Sequence, residues 1–383
     1  MHSSGISWTD ATWNLVRGCR QVSPGCRNCY AMACAHSVNK AHSKLGFPEP
    51  YEGLVQIRGG KPKWTGDVRF VTRLLVAPLR KREPLKIFVN SMSDLLYEEL
   101  SNKQIAAAFG VMAAASWHAY QVLTKRAERL PRWFAWVVRT AAERGLTPAQ
   151  FCFACAQEIG GADASCAKVL RRHEVIAAAA DAAWPLPNVW VGVSAEDQEN
   201  ANLRVPFLVK APAAVRFVSA EPLLGPVDLT PWLNDIAWVI GGCESGDGRR
   251  PADVDWLRLL RKQCLANGSA YFLKQAVGGV GITCGPGSKV KKKGIVESPY
   301  LDGTQSVAFP IAAPRCIAAP PRSPPPRSAM NIHPLQANGS GVVQEANPDE
   351  TTQARFSPED EPAQASPQEP PPGPRRRCAS SSR

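Results

Sequence analysis

Lys86-Ile87-Phe88-Val89-Asn90-Ser91-Met92-Ser93-Asp94 is an apolar run that hands over abruptly to polar residues. The run is short, β-branched and aromatic, and apolar on both faces of an extended chain, which predicts a strand buried in a parallel sheet. Ser101 and Gln104 then form a capping-box signature, and Ile105, Phe109, Met112 and Ala113 recur at helical spacing. Strand, polar turn and capped helix together predict one βα unit.

Outward from this unit the pattern recurs. Tyr120–Thr124 precedes a helix from about Glu128, whose inner face would carry Trp133, Phe134 and Trp136. Val189–Val193 and Val215–Ser219 follow, and Ala237–Gly241 precedes a helix over Asp253–Ala266 that Asn267-Gly268 closes. Ala270–Lys274 is the last run, and a further strand is expected within Ile6–Leu15. The expected fold is α/β, a partial or complete (βα) TIM-like barrel of about six to seven parallel strands. A doubly wound open sheet is the alternative, but no Gly-rich dinucleotide fingerprint follows the first strand.

Either fold puts its site at the carboxyl ends of the strands. The residues there are Asn90, Ser91, Ser93 and Asp94; Thr124, Lys125 and Arg126; Glu196; Glu221; Glu244; and Lys274. Any one Ser, Asp or Glu at a strand-to-helix handover is also an ordinary helix cap. The convergence of six such loops on one rim is what points to a site.

A loop rich in Gly, Pro and Ser carries Cys19, Cys26 and Cys29 in the spacing C-x6-C-x2-C. Three thiolates from one loop can hold a 4Fe-4S cluster with one iron open to a substrate or cofactor. Structural zinc is the competing use and requires a fourth ligand, for which Cys34 or His36 is nearest. Arg20 and Arg27 would ease thiolate formation. A second constellation, Cys152, Cys155, Cys166 and His173, lies in an Ala-rich segment and could fold a zinc knuckle or simply bury its thiols.

Composition bounds the remainder. The formal charge of +12 favours anionic partners such as nucleic acid or a phosphorylated substrate. Met1–Asp10 holds no apolar signal core, and no apolar run approaches the roughly 18 to 20 residues of a bilayer span, so a cytoplasmic protein without membrane contact is expected. Residues 314–383 hold 15 of the 34 prolines with few aliphatic or aromatic residues, so they are expected to be a disordered tail. That leaves 1–313 as the folded domain.

Several blocks together resemble a known family. They are Ile6–Asn14 with Gly18-Cys19 and Gly25–Ala31, Phe88–Leu95, Gln121–Arg126, Trp190–Gln198, Ser219–Pro226, Glu244–Gly246, Phe272–Gln275 and Leu301–Gly303. The chain so resembles, over about residues 6–310, a phage and prophage family of unassigned function known for a three-cysteine motif and placed near the radical S-adenosylmethionine enzymes. The resemblance implies a 4Fe-4S cluster on Cys19, Cys26 and Cys29 with S-adenosylmethionine at the open iron. By their place at the strand ends and their residue type, Asn90, Ser91, Ser93, Asp94, Glu196, Glu221 and Glu244 are expected to bind the cofactor, and Lys125, Arg126 and Lys274 to meet a phosphate of a nucleic-acid or nucleotide substrate. A partner protein is also compatible with it.

Three features depart from the pattern. Radical S-adenosylmethionine enzymes typically space their cysteines C-x3-C-x2-C. Cys243 separates Gly242 from Glu244, and residues 139–183 read as a helical insertion. Two other readings stay open. One is a nucleic-acid enzyme binding divalent metal through Asp94, Glu196, Glu221 and Glu244. The other is a non-catalytic, metal-stabilised nucleic-acid-binding protein. Trp8, Trp13 and Trp64 could stack on bases in either, or bury at the ends of the barrel.

Overall fold

The computed structural model describes residues 1–310 except 180–182, 247, 292 and 293. The chain divides into two units, Met1–Ser323 and Pro324–Arg383. The expected tail, 314–383, lies outside the described residues.

Every run expected to be a strand is one. We number the parallel strands β1 (Ala11–Trp13), β2 (Lys86–Val89), β3 (Ala119–Thr124), β4 (Val189–Ser194), β5 (Val215–Ala220), β6 (Trp238–Gly242) and β7 (Ala270–Val277). They pair in chain order and every neighbour is parallel. His2–Ser3 adds an antiparallel edge to β1, and Ile295–Glu297 adds one to β7, with Lys289–Val290 beyond it. Among the described residues these two edges do not pair with each other, so the closed form of the expected barrel is not found. The order never reverses, as it would in a doubly wound sheet. Right-handed crossovers in one direction place their helices on one face.

The helices are α1 (Tyr30–Lys44), α2 (Asn102–Ala114), α3 (Arg129–Glu143), α4 (Pro148–Gly160), α5 (Ala164–Ala179), α6 (Gln198–Lys210) and α7 (Val254–Asn267). The capping box of α2 forms as expected, with Gln104 N–H donating to Ser101 Oγ at 3.2 Å and Ser101 N–H to Gln104 Oε1 at 2.9 Å. Gly268 ends α7 at φ 77°, a left-handed conformation that glycine adopts freely. The expected insertion over 139–183 contains the end of α3 and helices α4 and α5, and α4 lies close along α2.

Alternation along each strand sorts the side chains into two cores. Ile87, Val89, Val122, Val191, Val218 and Val239 join the helices in the larger one. On the opposite face Phe88, Trp190, Phe217, Trp238 and Phe272 pack with Trp8 as an aromatic layer. Phe309 lies across that layer, 5.3 Å from Trp238 and 5.4 Å from Phe272 between ring centroids, with the Lys86 ammonium 4.3 Å from its ring. The face away from the helices is therefore plugged by rings at the strands' amino ends. Its polar residues are left at the carboxyl ends.

Gly110 tests how closely α2 and α4 approach, because a Cβ there would stand 2.2 Å from the Cys152 carbonyl oxygen. Gly→Ala within a helix ordinarily stabilises by about 1 kcal/mol. Gly110→Ala should instead destabilise by about 1–3 kcal/mol in urea unfolding, since the two backbones must separate.

Candidate functional site

The cysteine loop lies over the carboxyl ends of the strands and covers a cavity of about 190 Å³. Cys19, Cys26 and Cys29 all line this cavity, together with Asn90, Ser91, Ser93 and Asp94 from the β2 loop. Lys125 and Arg126 line it after β3, Glu221 after β5, Cys243 and Glu244 after β6, and Lys274 on β7. Five of the six strand-end loops thus bring their named residues to one cavity. Glu196 is the exception among the expected rim residues: it is fully buried and not part of the cavity wall.

Glu196 instead fastens the cysteine loop to the sheet. Its carboxylate accepts from Lys125 Nζ at 2.9 Å, from Arg204 Nη1 at 2.8 Å and from Ser23 Oγ. Burial alone would raise its pKa, but the two cations and the Ser23 hydroxyl outweigh burial and hold it at about 2. Gly25 packs so closely that a Cβ there would be 2.8 Å from Glu196 Oε1. Glu244 makes a second anchor, accepting from Asn28 Nδ2 at 2.9 Å and Arg250 Nη2 at 2.6 Å, while Arg250 also donates to the Pro24 carbonyl at 2.9 Å. Cys243 therefore does not keep Glu244 from the loop. Nothing in the sequence near Ser23 or Arg250 signals their contacts with Glu196 and Pro24, which lie 173 and 226 residues away.

Most of the expected ligand-binding groups are already committed. Asp94 accepts from Thr124 Oγ1 at 2.8 Å, Lys125 N–H at 3.0 Å, Arg126 Nη1 at 3.0 Å and Leu96 N–H at 2.9 Å. Ser93 Oγ donates to the Val16 carbonyl at 2.8 Å, and Ser91 Oγ donates to Asn14 Oδ1 at 3.1 Å. Glu221 pairs with Lys274. The four carboxylates of the divalent-metal reading are thus each occupied by a cation. Among the described residues no three Cys, His, Asp or Glu side chains are grouped as a single metal ion requires.

What remains free is a set of donors. Asn90 adopts φ 59° and its Oδ1 accepts from Val16 N–H at 3.2 Å, but its Nδ2 is buried without a partner. Arg126 is 3% exposed, held by Asp94 and by Glu98 (Nε to Oε2, 2.8 Å), and its Nη2 is likewise unpartnered. Trp8 Nε1 is the third. All three residues line the cavity. Trp13 and Trp64 are buried as well, but they are not among the unpartnered donors.

The thiols sit in a similar environment. Burial pushes Cys19 up to about 12, with Arg126 the main opposing influence and Asp94, then the thiols of Cys29 and Cys26, adding to the rise. Burial also raises Cys29, which caps the amino end of α1. Cys243 is pushed up to about 11 by burial, then by Glu221. Cys34, a candidate fourth zinc ligand, is exposed on α1.

Among the described residues the second constellation is not grouped as a single metal ion requires. Cys152 and Cys155 are buried on α4, and Cys166 near the start of α5 donates to the Thr72 carbonyl at 3.3 Å. His173 Nδ1 is 2.8 Å from the Val169 carbonyl one turn back.

Because the folded Glu196 titrates near 2, its contribution to stability is full above the ordinary carboxylate pKa and is lost as pH falls from about 4.5 towards 2. Glu196→Gln should therefore cost about 3 kcal/mol in denaturant unfolding at pH 7, by leaving Lys125 and Arg204 without their anion. The gap between variant and native chain should narrow as pH falls through that window.

No curated protein and no solved structure is significantly similar to the chain. Residues 3–310 match a family described only as a protein of unknown function. That match takes in the cysteine loop, all seven parallel strands and every wall of the cavity, and the chain belongs to the DUF5131 family.

Proposed function

We propose that this chain is an iron–sulfur protein of the radical S-adenosylmethionine type, built on an incomplete (βα) barrel and acting in the reducing cytoplasm. The observation that carries the reading is the shared wall: Cys19, Cys26 and Cys29 border one cavity with three buried, unpartnered donors.

The residues present fit a 4Fe-4S cluster better than a single ion. A cluster takes each thiolate on a different iron, so its ligands need not converge on one point as the ligands of zinc must. Cys19, Cys26 and Cys29 would hold it. When bound, the cluster supplies an open coordination position and one electron, the two requirements for reductive cleavage of a sulfonium.

The chain's own groups divide the remaining work. The raised thiols must each release a proton when metal binds. Arg126, locked by Asp94 and Glu98, offsets the resulting negative charge beside Cys19. Trp8 Nε1, Asn90 Nδ2 and Arg126 Nη2 would donate to an acceptor-rich ligand such as the carboxylate or ribose hydroxyls of S-adenosylmethionine. Leaving them empty-handed is costly, so a ligand that satisfies them gains correspondingly. The aromatic layer beneath, Phe88 and Trp8 in particular, excludes water from that end of the cavity. A nucleotide or nucleic-acid substrate is favoured by the charge of +12.

Anaerobic purification followed by iron, sulfide and zinc analysis and electron paramagnetic resonance tests the reading. About four irons per chain are expected. They should be lost in Cys26→Ala, and the spectrum should shift on adding S-adenosylmethionine. Trp8→Phe should keep its iron but bind S-adenosylmethionine about tenfold more weakly in equilibrium dialysis, having lost one hydrogen bond. Zinc without iron would overturn the proposal.

A further inference from the structure

A second cleft, of about 630 Å³, opens beside the short antiparallel ladder of Val16–Arg17 and Arg69–Phe70. Arg17, Arg69 and Arg73 all line it, with His42 and the segment Phe47–Pro50 opposite. Arg17 and Arg69 are direct cross-strand partners, an arrangement that places like charges face to face and works against the ladder.

Among the described residues none of these three arginines is paired with a carboxylate. Arg17 Nη1 donates to the Pro50 carbonyl and Arg69 Nη2 to the Glu52 carbonyl, each at 3.1 Å, and neither reaches a carboxylate. Arg73 has no hydrogen bond or ion pair among the described residues, and Arg17 lies 5.5 Å over the Tyr51 ring. The cleft's two acids do not help. Asp163 is turned to the Cys166 N–H at 2.9 Å, and Glu49 pairs with no cation among the described residues. Elsewhere the buried or half-buried cations Lys125, Arg126, Arg204, Arg250 and Lys274 each hold a carboxylate. The cations expected to meet phosphate are thus neutralised, whereas three that were not singled out hold no carboxylate among the described residues.

We propose that this cleft grips the phosphodiester backbone of a nucleic acid through Arg17, Arg69 and Arg73. Guanidinium forks match phosphate oxygens in pairs, and a bound polyanion offsets the repulsion between the facing Arg17 and Arg69. Three separate guanidiniums along an open cleft suit consecutive phosphates of a strand better than one isolated phosphate. Arg17 is separated from Cys19 by Gly18 alone, so a strand held here would pass close to the cysteine loop. The inference stands whether or not that loop takes a cluster.

Fluorescence anisotropy with labelled single-stranded DNA and RNA, on the full chain, tests it. The native protein should bind, and Arg69→Ala with Arg73→Ala should weaken binding by about tenfold or more at moderate salt. The slope of log affinity against log salt should become shallower by about 1.4, the counterions of two single-strand phosphates. Both residues are exposed, so the double variant should fold, with thermal unfolding no earlier than in the native chain. Arg132→Ala, an exposed arginine on α3 that bonds only within its own helix, should change neither affinity nor slope. Absence of binding by the native chain, or identical binding by the double variant, would overturn the proposal. So would displacement of the oligonucleotide by inorganic phosphate at equal phosphate concentration, which would make the cleft a site for the free ion.

Discussion

A fully buried carboxylate, Glu196, holds the cysteine loop against the sheet. It faces two cations and a serine hydroxyl, and each tie reaches a different part of the chain: Lys125 after β3, Arg204 on α6 and Ser23 within the loop itself. Burying an ion is expensive unless its partners are complete, and an incomplete set is worse than none. This makes the anchor nearly all-or-none. Gly25 completes the constraint by leaving no room for a side chain against the carboxylate. The loop's position over the cavity, and so the placement of three thiols on one wall, depends on this cluster and on the Glu244–Arg250 clamp beside it.

The same economy of charge distinguishes the two clefts. Around the central cavity every carboxylate is matched by a lysine or arginine, so the wall offers little net charge. Its reactivity towards a ligand lies in unpartnered donors and in thiols held neutral by burial. In the outer cleft the arginines are unmatched, and its attraction is electrostatic and sensitive to salt. The ligand proposed for one is a small acceptor-rich molecule gripped by hydrogen bonds. The other suits an extended anion in contact with water.

Much of this was legible beforehand, and for specific reasons. Each strand of the sheet is buried on both faces, so its apolar run stands out even over a few residues, as Val189–Val193 does. The capping box at Ser101 and the stop at Gly268 are local in sequence and were equally plain. The cysteine spacing named the three thiols that share a wall. Less legible was the division of labour among the polar strand ends. Asp94 and Glu196 have the residue type of ligand-binding groups, yet their oxygens are spent on Arg126, Lys125 and Arg204. The cysteines of the insertion had a metal-like spacing, but helical packing against α2 absorbed two of them.

By itself the sequence determined the seven parallel strands, the helices between them and the rim on which their polar ends gather, because periodicity and capping are properties of neighbours along the chain. Only the tertiary structure decided that the sheet does not close among the described residues, which cations meet a carboxylate and which do not, and what pins the cysteine loop. Ser23 meets Glu196 across 173 residues and Arg250 meets Pro24 across 226. Whether a charge is matched depends on such long-range contacts, which follow from the three-dimensional packing of strands and loops and leave no periodic trace in the order of residues.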